Sequence, residues 1–303
     1  MTTVSTSAFY DRSIWDLSAL RKQADGLQQQ ISTGNRLSTA SQDPVAAARI
    51  ASLTRQDSLA KVDGTNAQAA QNDLELADST LTNFSTIVTQ IQGLATQAAS
   101  ATLNNAQRGN VGAEVSALRD QLVSLANARD SSGYALFGGT GTGQAYTLDA
   151  AGNATYAGAA TADTISLGQG LSVTRGVTGP EFMNFNSGGT ATDLLSMVKT
   201  LADALNSGAG GQAAAQTALT KLGDGLNAIT TAQTVVGARL SWIDTTTAIR
   251  DQFSQQRADT EASVGGTDIA STVARLQQTM TVLEASQASF AKLAGMSLFD
   301  MLR

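Results

Sequence analysis

Few residues in this chain have the types and spacing that chemistry needs. A glycine-rich run, Gly138-Gly139-Thr140-Gly141-Thr142-Gly143, could cradle a phosphate on its backbone amides. It lacks the lysine of a G-x-x-x-x-G-K-[ST] loop, and a strand-like run follows it where an anion site needs a helix N-terminus. It is read as a flexible loop or hairpin. Carboxylates are scattered: Asp73 and Glu75 stand two apart, which does not place them on one helix face, and Glu181 is isolated. All three are assigned to solvated surfaces. Asn153-Ala154-Thr155 matches a glycosylation triplet too short to carry a claim. Trp15 and Trp242 lie within helical patterns, where core or interface packing is the expected use.

What is missing narrows the field further. The 303 residues include no histidine and no cysteine, so the commonest general base, the thiolate nucleophile and most zinc sites are excluded. No catalytic, cofactor-binding or metal-ligating residue is assigned, and no enzymatic activity is expected. A net charge of −6 without a basic cluster argues against nucleic acid. No apolar run is long enough to insert in a membrane. Residues Met1 to Ser7 carry neither a basic nor an apolar segment, so no cleaved signal peptide is expected.

The elements that must position whatever function remains are long helices. Hydrophobic residues make up 42% of the chain and aromatics only 5%, a composition suited to slender bundles, and only Pro44 and Pro180 interrupt. Leu17, Leu20, Ala24, Leu27 and Ile31 alternate in steps of three and four, a heptad seam that stops at Ser32-Thr33-Gly34-Asn35. Asp43-Pro44 starts a second helix, aspartate as N-cap and proline at the first position. Its seam runs Leu74, Ala77, Leu81, Phe84, Val88, Ile91, Ala95 and Ala98, and after Asn104-Asn105 a third helix carries Val111, Val115, Leu118, Leu122 and Leu125. Towards the C-terminus Leu194 to Leu205, then Leu219 to Ile243, repeat the pattern across a break at Ser207 to Gly211. After Gly265-Gly266 the last seam comprises Ile269, Val273, Leu276, Met280, Leu283, Gln287 and Phe290.

Between Ser131 and Gly189 the texture changes to glycine and short strand-like runs at 134–137, 145–148, 164–167 and 171–174, with turns at Asp149 to Asn153 and Gly168 to Gly170. The predicted fold is mainly α: helical coiled-coil arms from both termini around a small β-rich insertion. Amphipathic terminal helices with few charges gain their stability from packing, so Leu17, Leu20, Leu27, Ile31, Ile269, Val273, Leu276, Met280, Leu283 and Phe290 are expected to meet neighbouring subunits, the alternative being a helical bundle closed within one chain.

The segment Gln30 to Ala48, Gln-Ile-Ser-Thr-Gly-Asn-Arg-Leu-Ser-Thr-Ala-Ser-Gln-Asp-Pro-Val-Ala-Ala-Ala, resembles the N-terminal signature of the flagellin superfamily. Leu94 to Ala99, Gln121 to Asn127, Tyr134 to Thr140 and the endings Ser289 to Leu293 and Ser297 to Leu302 are similar as well. Asp43-Pro44-Val45-Ala46 is closer to the superfamily's hook-associated members than to filament flagellin, and Gln92-Gly93 departs from the Arg-Glu pair of many flagellins. The resemblance implies a structural subunit at the junction of hook and filament, with filament flagellin as the alternative. It implies axial segments 1–42 with 258–303, a helical rod 43–130 with 192–257 and an outward-facing domain 131–191. It further implies export through the flagellar type III channel to an extracellular address. The implied partners are other copies of the chain, a neighbouring hook-associated protein, flagellin, and an export chaperone at the C-terminal region.

Overall fold

The structure, a computed structural model, describes residues 6–208 and 210–300, with side chains described only at position 8 and over 10–208 and 210–292. The signal-peptide reading at Met1 to Ser7 and the C-terminal motif from Ser297 onward therefore lie outside the described backbone or side chains. Seven helices and six short strands are described: α1 (Thr6–Thr33), α2 (Pro44–Ala98), α3 (Asn105–Ala126), β1 (Tyr146–Leu148), β2 (Ala154–Tyr156), β3 (Thr164–Gly168), β4 (Leu171–Thr174), α4 (Gly179–Met183), β5 (Asn184–Ser187), β6 (Thr190–Asp193), α5 (Leu194–Ser207), α6 (Gly211–Gly265) and α7 (Ile269–Asp300). The chain is mainly helical with a small β-rich insertion, as its patterning predicts. It divides into two compact units, one from residues 1–58 and 252–303, the other from 59–251.

The larger unit is built on the seam of α2. Leu74, Ala77, Leu81, Phe84, Val88, Ile91, Ala95 and Ala98 are all fully buried. They share one core with Val115 and Leu122 of α3, Leu194 and Leu205 of α5, and Leu222, Ile229, Val236 and Ile243 of α6. The α3 start is a capping box: Asn104 accepts from the Gln107 amide at 2.9 Å while Gln107 Oε1 accepts from the Asn104 amide. Buried Arg108 donates to the carbonyls of Ala98 and Ser100, meeting the orphan acceptors where α2 ends. α3 and α5 approach closely at Gly112, where a Cβ would fall 2.9 Å from that of Leu205.

Three antiparallel two-stranded ribbons, β1–β2, β3–β4 and β5–β6, make up the insertion. An aromatic trio anchors it to α2: Phe137 and Phe182 stand 6.1 and 5.3 Å from Phe84 and 4.9 Å from each other, all edge to face. Residues 134–137 are not the predicted strand. Only a single bridge, Arg129 to Ala135, forms there, because Phe137 is held by burial in the trio and Gly139 (φ +62) turns the chain at once. The ribbon β5–β6, absent from the sequence reading, turns on Gly188-Gly189, both at positive φ, as a two-residue hairpin requires.

Asp73 corrects a second expectation. It is buried, and its carboxylate takes Arg175 Nε at 2.9 Å and Nη2 at 2.7 Å. An ionised carboxylate this deep needs such a partner, which residue spacing alone did not reveal.

Candidate assembly surface

The smaller unit contains the residues the sequence singles out. α1 and α7 pack against each other and run antiparallel. The Tyr10 and Phe290 rings meet edge to face at 5.5 Å near one end, and Asn35 bridges Gly266 at the other. Within this pair Ala24 and Leu283 are buried, while Leu17, Leu20, Leu27, Ile31, Val273, Leu276 and Phe290 are half-buried. Ile269 (55% exposed) and Met280 (42%) face solvent.

The buried line on α7 instead includes Thr272 and Thr279. Each hydroxyl donates to the carbonyl four residues earlier, at 2.7 and 2.8 Å, so each is satisfied before it is covered. That rotates the packed face slightly off the all-apolar line and leaves apolar residues outside. Ile14, Val282 and above all Trp15, 74% exposed, belong to this uncovered set. Trp15 is therefore not core in the single chain, and neither is Trp242 of the larger unit. Ile14 and Val282 escaped the sequence reading; their only signal was an apolar type one position from the seam.

The connectors beside this pair are zipped together by the signature residues. Gly34 takes φ +70 and its carbonyl accepts from the Thr267 amide at 2.8 Å. The Arg36 amide donates to the Gly265 carbonyl at 2.7 Å, and its guanidinium donates to the Val264 carbonyl and to Asp43 Oδ2, both at 3.1 Å. Asp43 Oδ1 accepts the Ala46 amide at 3.0 Å, the N-cap expected before Pro44. The Ala46 amide, then Arg36, holds the Asp43 carboxyl below the usual carboxylate range. Gly265 packs closely on Ile50: a Cβ there would sit 2.7 Å from Ile50 Cδ1 and force that side chain to shift. Asp57 and Arg257 close the same unit with an ion pair. Gln30 adds a bond from Nε2 to the Arg36 carbonyl at 2.9 Å.

A model of the bacterial flagellin N-terminal helical region matches residues 13–142, which include Gly34, Arg36 and Asp43 of this latch. Two curated proteins match end to end. The flagellar hook-associated protein 3 of Salmonella typhimurium is 24% identical over 317 residues, 99% of each chain, and that of Escherichia coli is 24% identical over 314 residues, 98% of each. Over residues 13–142 the chain is thus similar to the N-terminal region of bacterial flagellins. Along its whole length it is similar to hook-associated protein 3 of the flagellum. Solved structures share its fold. A putative flagellar hook-associated protein of Vibrio parahaemolyticus superposes with a TM-score of 0.69 at 20% identity, over 74% of this chain and 100% of that one. The hook-associated protein 3 of Legionella pneumophila gives 0.64 at 17%, over 71% and 98%. The FlgL protein of Xanthomonas campestris gives 0.62 at 18%, over 69% and 99%.

The larger unit also has a cleft, of about 350 Å³, where the glycine-rich run and Asp73, Asp130, Asp163 and Arg175 meet. Its carboxylates surround the Arg175 guanidinium, with Asp130 and Asp163 each at 3.8 Å. The amides of Gly138, Thr140 and Gly141 donate to the carbonyls of Ala135, Thr161 and Gly138, so these three donors are taken up within the protein. Tyr156 tightens the same corner by donating to the carbonyls of Phe137 and Ala159. The arrangement fastens the insertion to α2.

Proposed function

We propose that this chain forms the junction between hook and filament, acts as a structural subunit without catalytic activity, and polymerises through its terminal helices. The observation that carries the reading is the end-to-end correspondence with hook-associated protein 3, with both termini included. The uncovered apolar residues of the smaller unit support it. A packed pair that leaves Trp15, Ile269 and Met280 exposed is suited to a neighbour, whereas Leu283 is already engaged inside the chain. In this reading 1–42 with 258–303 form the axial segment, 43–130 with 192–257 the rod, and 131–191 the outward domain. The partners are further copies, a neighbouring hook-associated protein on one side and flagellin on the other. The chain leaves the cell unfolded through the flagellar export channel, its C-terminal region bound beforehand by a chaperone.

Filament flagellin is the second reading; Asp43-Pro44 and the short insertion count against it. Electron microscopy of a strain lacking the gene separates the two. A junction protein leaves complete hooks without filaments and flagellin in the medium. Filaments that persist, or a medium empty of flagellin, overturn the junction assignment.

A further inference from the structure

Two outward seams in the larger unit are not used by its own core. On α6, Val235, Trp242 and Ile249 recur every seven residues, each at least 39% exposed, with exposed Ala238 and Thr245 between them. On α2, Val62, Ala69 and Leu76 recur at the same interval, all exposed, with exposed Thr65 and Asn72 between them. Both lines lie beside the buried seams, not on them: Val236 and Ile243 are the inward residues of α6, Leu74 and Ala77 those of α2. Each line follows the heptad rule of a helix that packs on another helix.

We propose that these are the two halves of one contact, the α6 seam of one copy seating on the α2 seam of the next. The proposal rests on the junction reading and adds the face by which copies meet outside the terminal segments. Three features point to a second copy as occupant. The seams match in length, each covering 15 residues or about 21 Å from first to last. Their centres are complementary in size, Trp242 on one and Ala69 on the other, as a knob needs a hole. Neither line carries a charge, in a chain of net −6 whose copies repel one another elsewhere. The levels also agree: Gln233 donates to Thr82 at 3.1 Å and Arg250 lies beside Gly64, so both seams occupy the same stretch of the α2–α6 pair.

A single helix seam of this length covers far less than the roughly 800 Å² per partner of a stable complex. The contact is therefore silent in the free chain and forms when other contacts already hold copies side by side.

The chain contains no cysteine, so Thr245→Cys and Ala69→Cys each introduce a single reactive thiol. Both are exposed sites; Thr245→Cys leaves the apolar residues of its seam in place, and Ala69→Cys enlarges one small seam residue by a single sulfur atom. Each variant replaces the native chain in cells, and its reaction with a soluble maleimide is followed in purified monomer and in isolated flagella. Co-expression of both variants with a short bis-maleimide then tests contact between copies. Labelling of the monomer, loss of labelling in flagella and a crosslinked product of two chains support the proposal. Normal flagella in which both thiols still react overturn it while the junction reading stands. Thiols that are protected but give no crosslink between copies also overturn it, because another protein then covers the seam. Isolated flagella that lack the chain altogether overturn both.

Discussion

The two units treat the same kind of helix in opposite ways. In the larger unit the α2 seam from Leu74 to Ala98 is covered without a gap, because α3, α5, α6 and the Phe137–Phe182 anchor surround it. In the smaller unit α1 and α7 have mainly each other, so Leu17, Leu20, Leu276 and Phe290 stay half-buried and Trp15 and Met280 lie outside. A helix with one neighbour hides about one stripe of its circumference; a helix with several hides most of it. The difference separates a seam that is closed within one chain from a helix pair whose seam remains partly open.

The largest effect expected from breaking this comparison is at its best-packed point. Phe84→Ala opens a cavity between Phe137 and Phe182 and should cost about 3–5 kcal/mol, read as a lower thermal or urea midpoint of the larger unit. An unchanged midpoint would mean that the insertion is not anchored through the trio. Next comes a paired test on α7. Leu283→Glu places an unpaired charge in the buried line and should cost about 3 kcal/mol in the smaller unit. Met280→Glu, at an exposed position, should melt as wild type yet fail to hold a filament in cells. Equal melting losses in the two variants would erase the distinction drawn between covered and uncovered α7 residues. Arg175→Ala removes the partner of buried Asp73 and should cost about 1–3 kcal/mol, since Arg175 is itself partly exposed. Arg175→Lys should restore only part of the loss, because an ammonium cannot reproduce the two-point contact.

The smallest effect concerns pH. The Asp43 carboxyl is held below its ordinary value, first by the Ala46 amide and then by Arg36, so its contribution is present above the unfolded value near 3.8 and is lost as pH falls through the folded one. Asp43→Asn keeps an acceptor for the cap but cannot titrate. Circular-dichroism melts of the two proteins between neutral and acid pH should converge on acidification. Asp193, capping α5, has the opposite sign. Burial, the largest influence, raises its pKa against the Ser196 amide, the Leu195 amide and Arg119, so its ionised form weighs against the larger unit as pH rises through the folded value. Asp193→Asn should flatten that part of the larger unit's pH profile.

Local chemistry, written in consecutive residues, was legible. The Asp43-Pro44 start, the turn at Asn104-Asn105, the break at Gly265-Gly266 and the runs that become β1, β3 and β4 could each be read before any coordinates, because caps, glycines and heptads act within a few residues of one another. The Gly188-Gly189 hairpin was present as a signal and missed, since its strands are short, polar and without alternation.

What only the tertiary structure decided was which stripe of each helix is covered, and by what. Asp73 is polar and reads as solvated, yet Arg175 lies 102 residues away in sequence and is brought to it by the insertion's fold. The Arg36 latch joins residues 228 apart, so its role in the signature cannot be seen along the chain. Met280 and Leu283 belong to one heptad pattern, and only the rotation of α7 on α1 separates the exposed residue from the buried one. Periodicity determines that a helix has an apolar face; the direction of that face depends on the partner it packs against, and the partner comes from the other end of the chain.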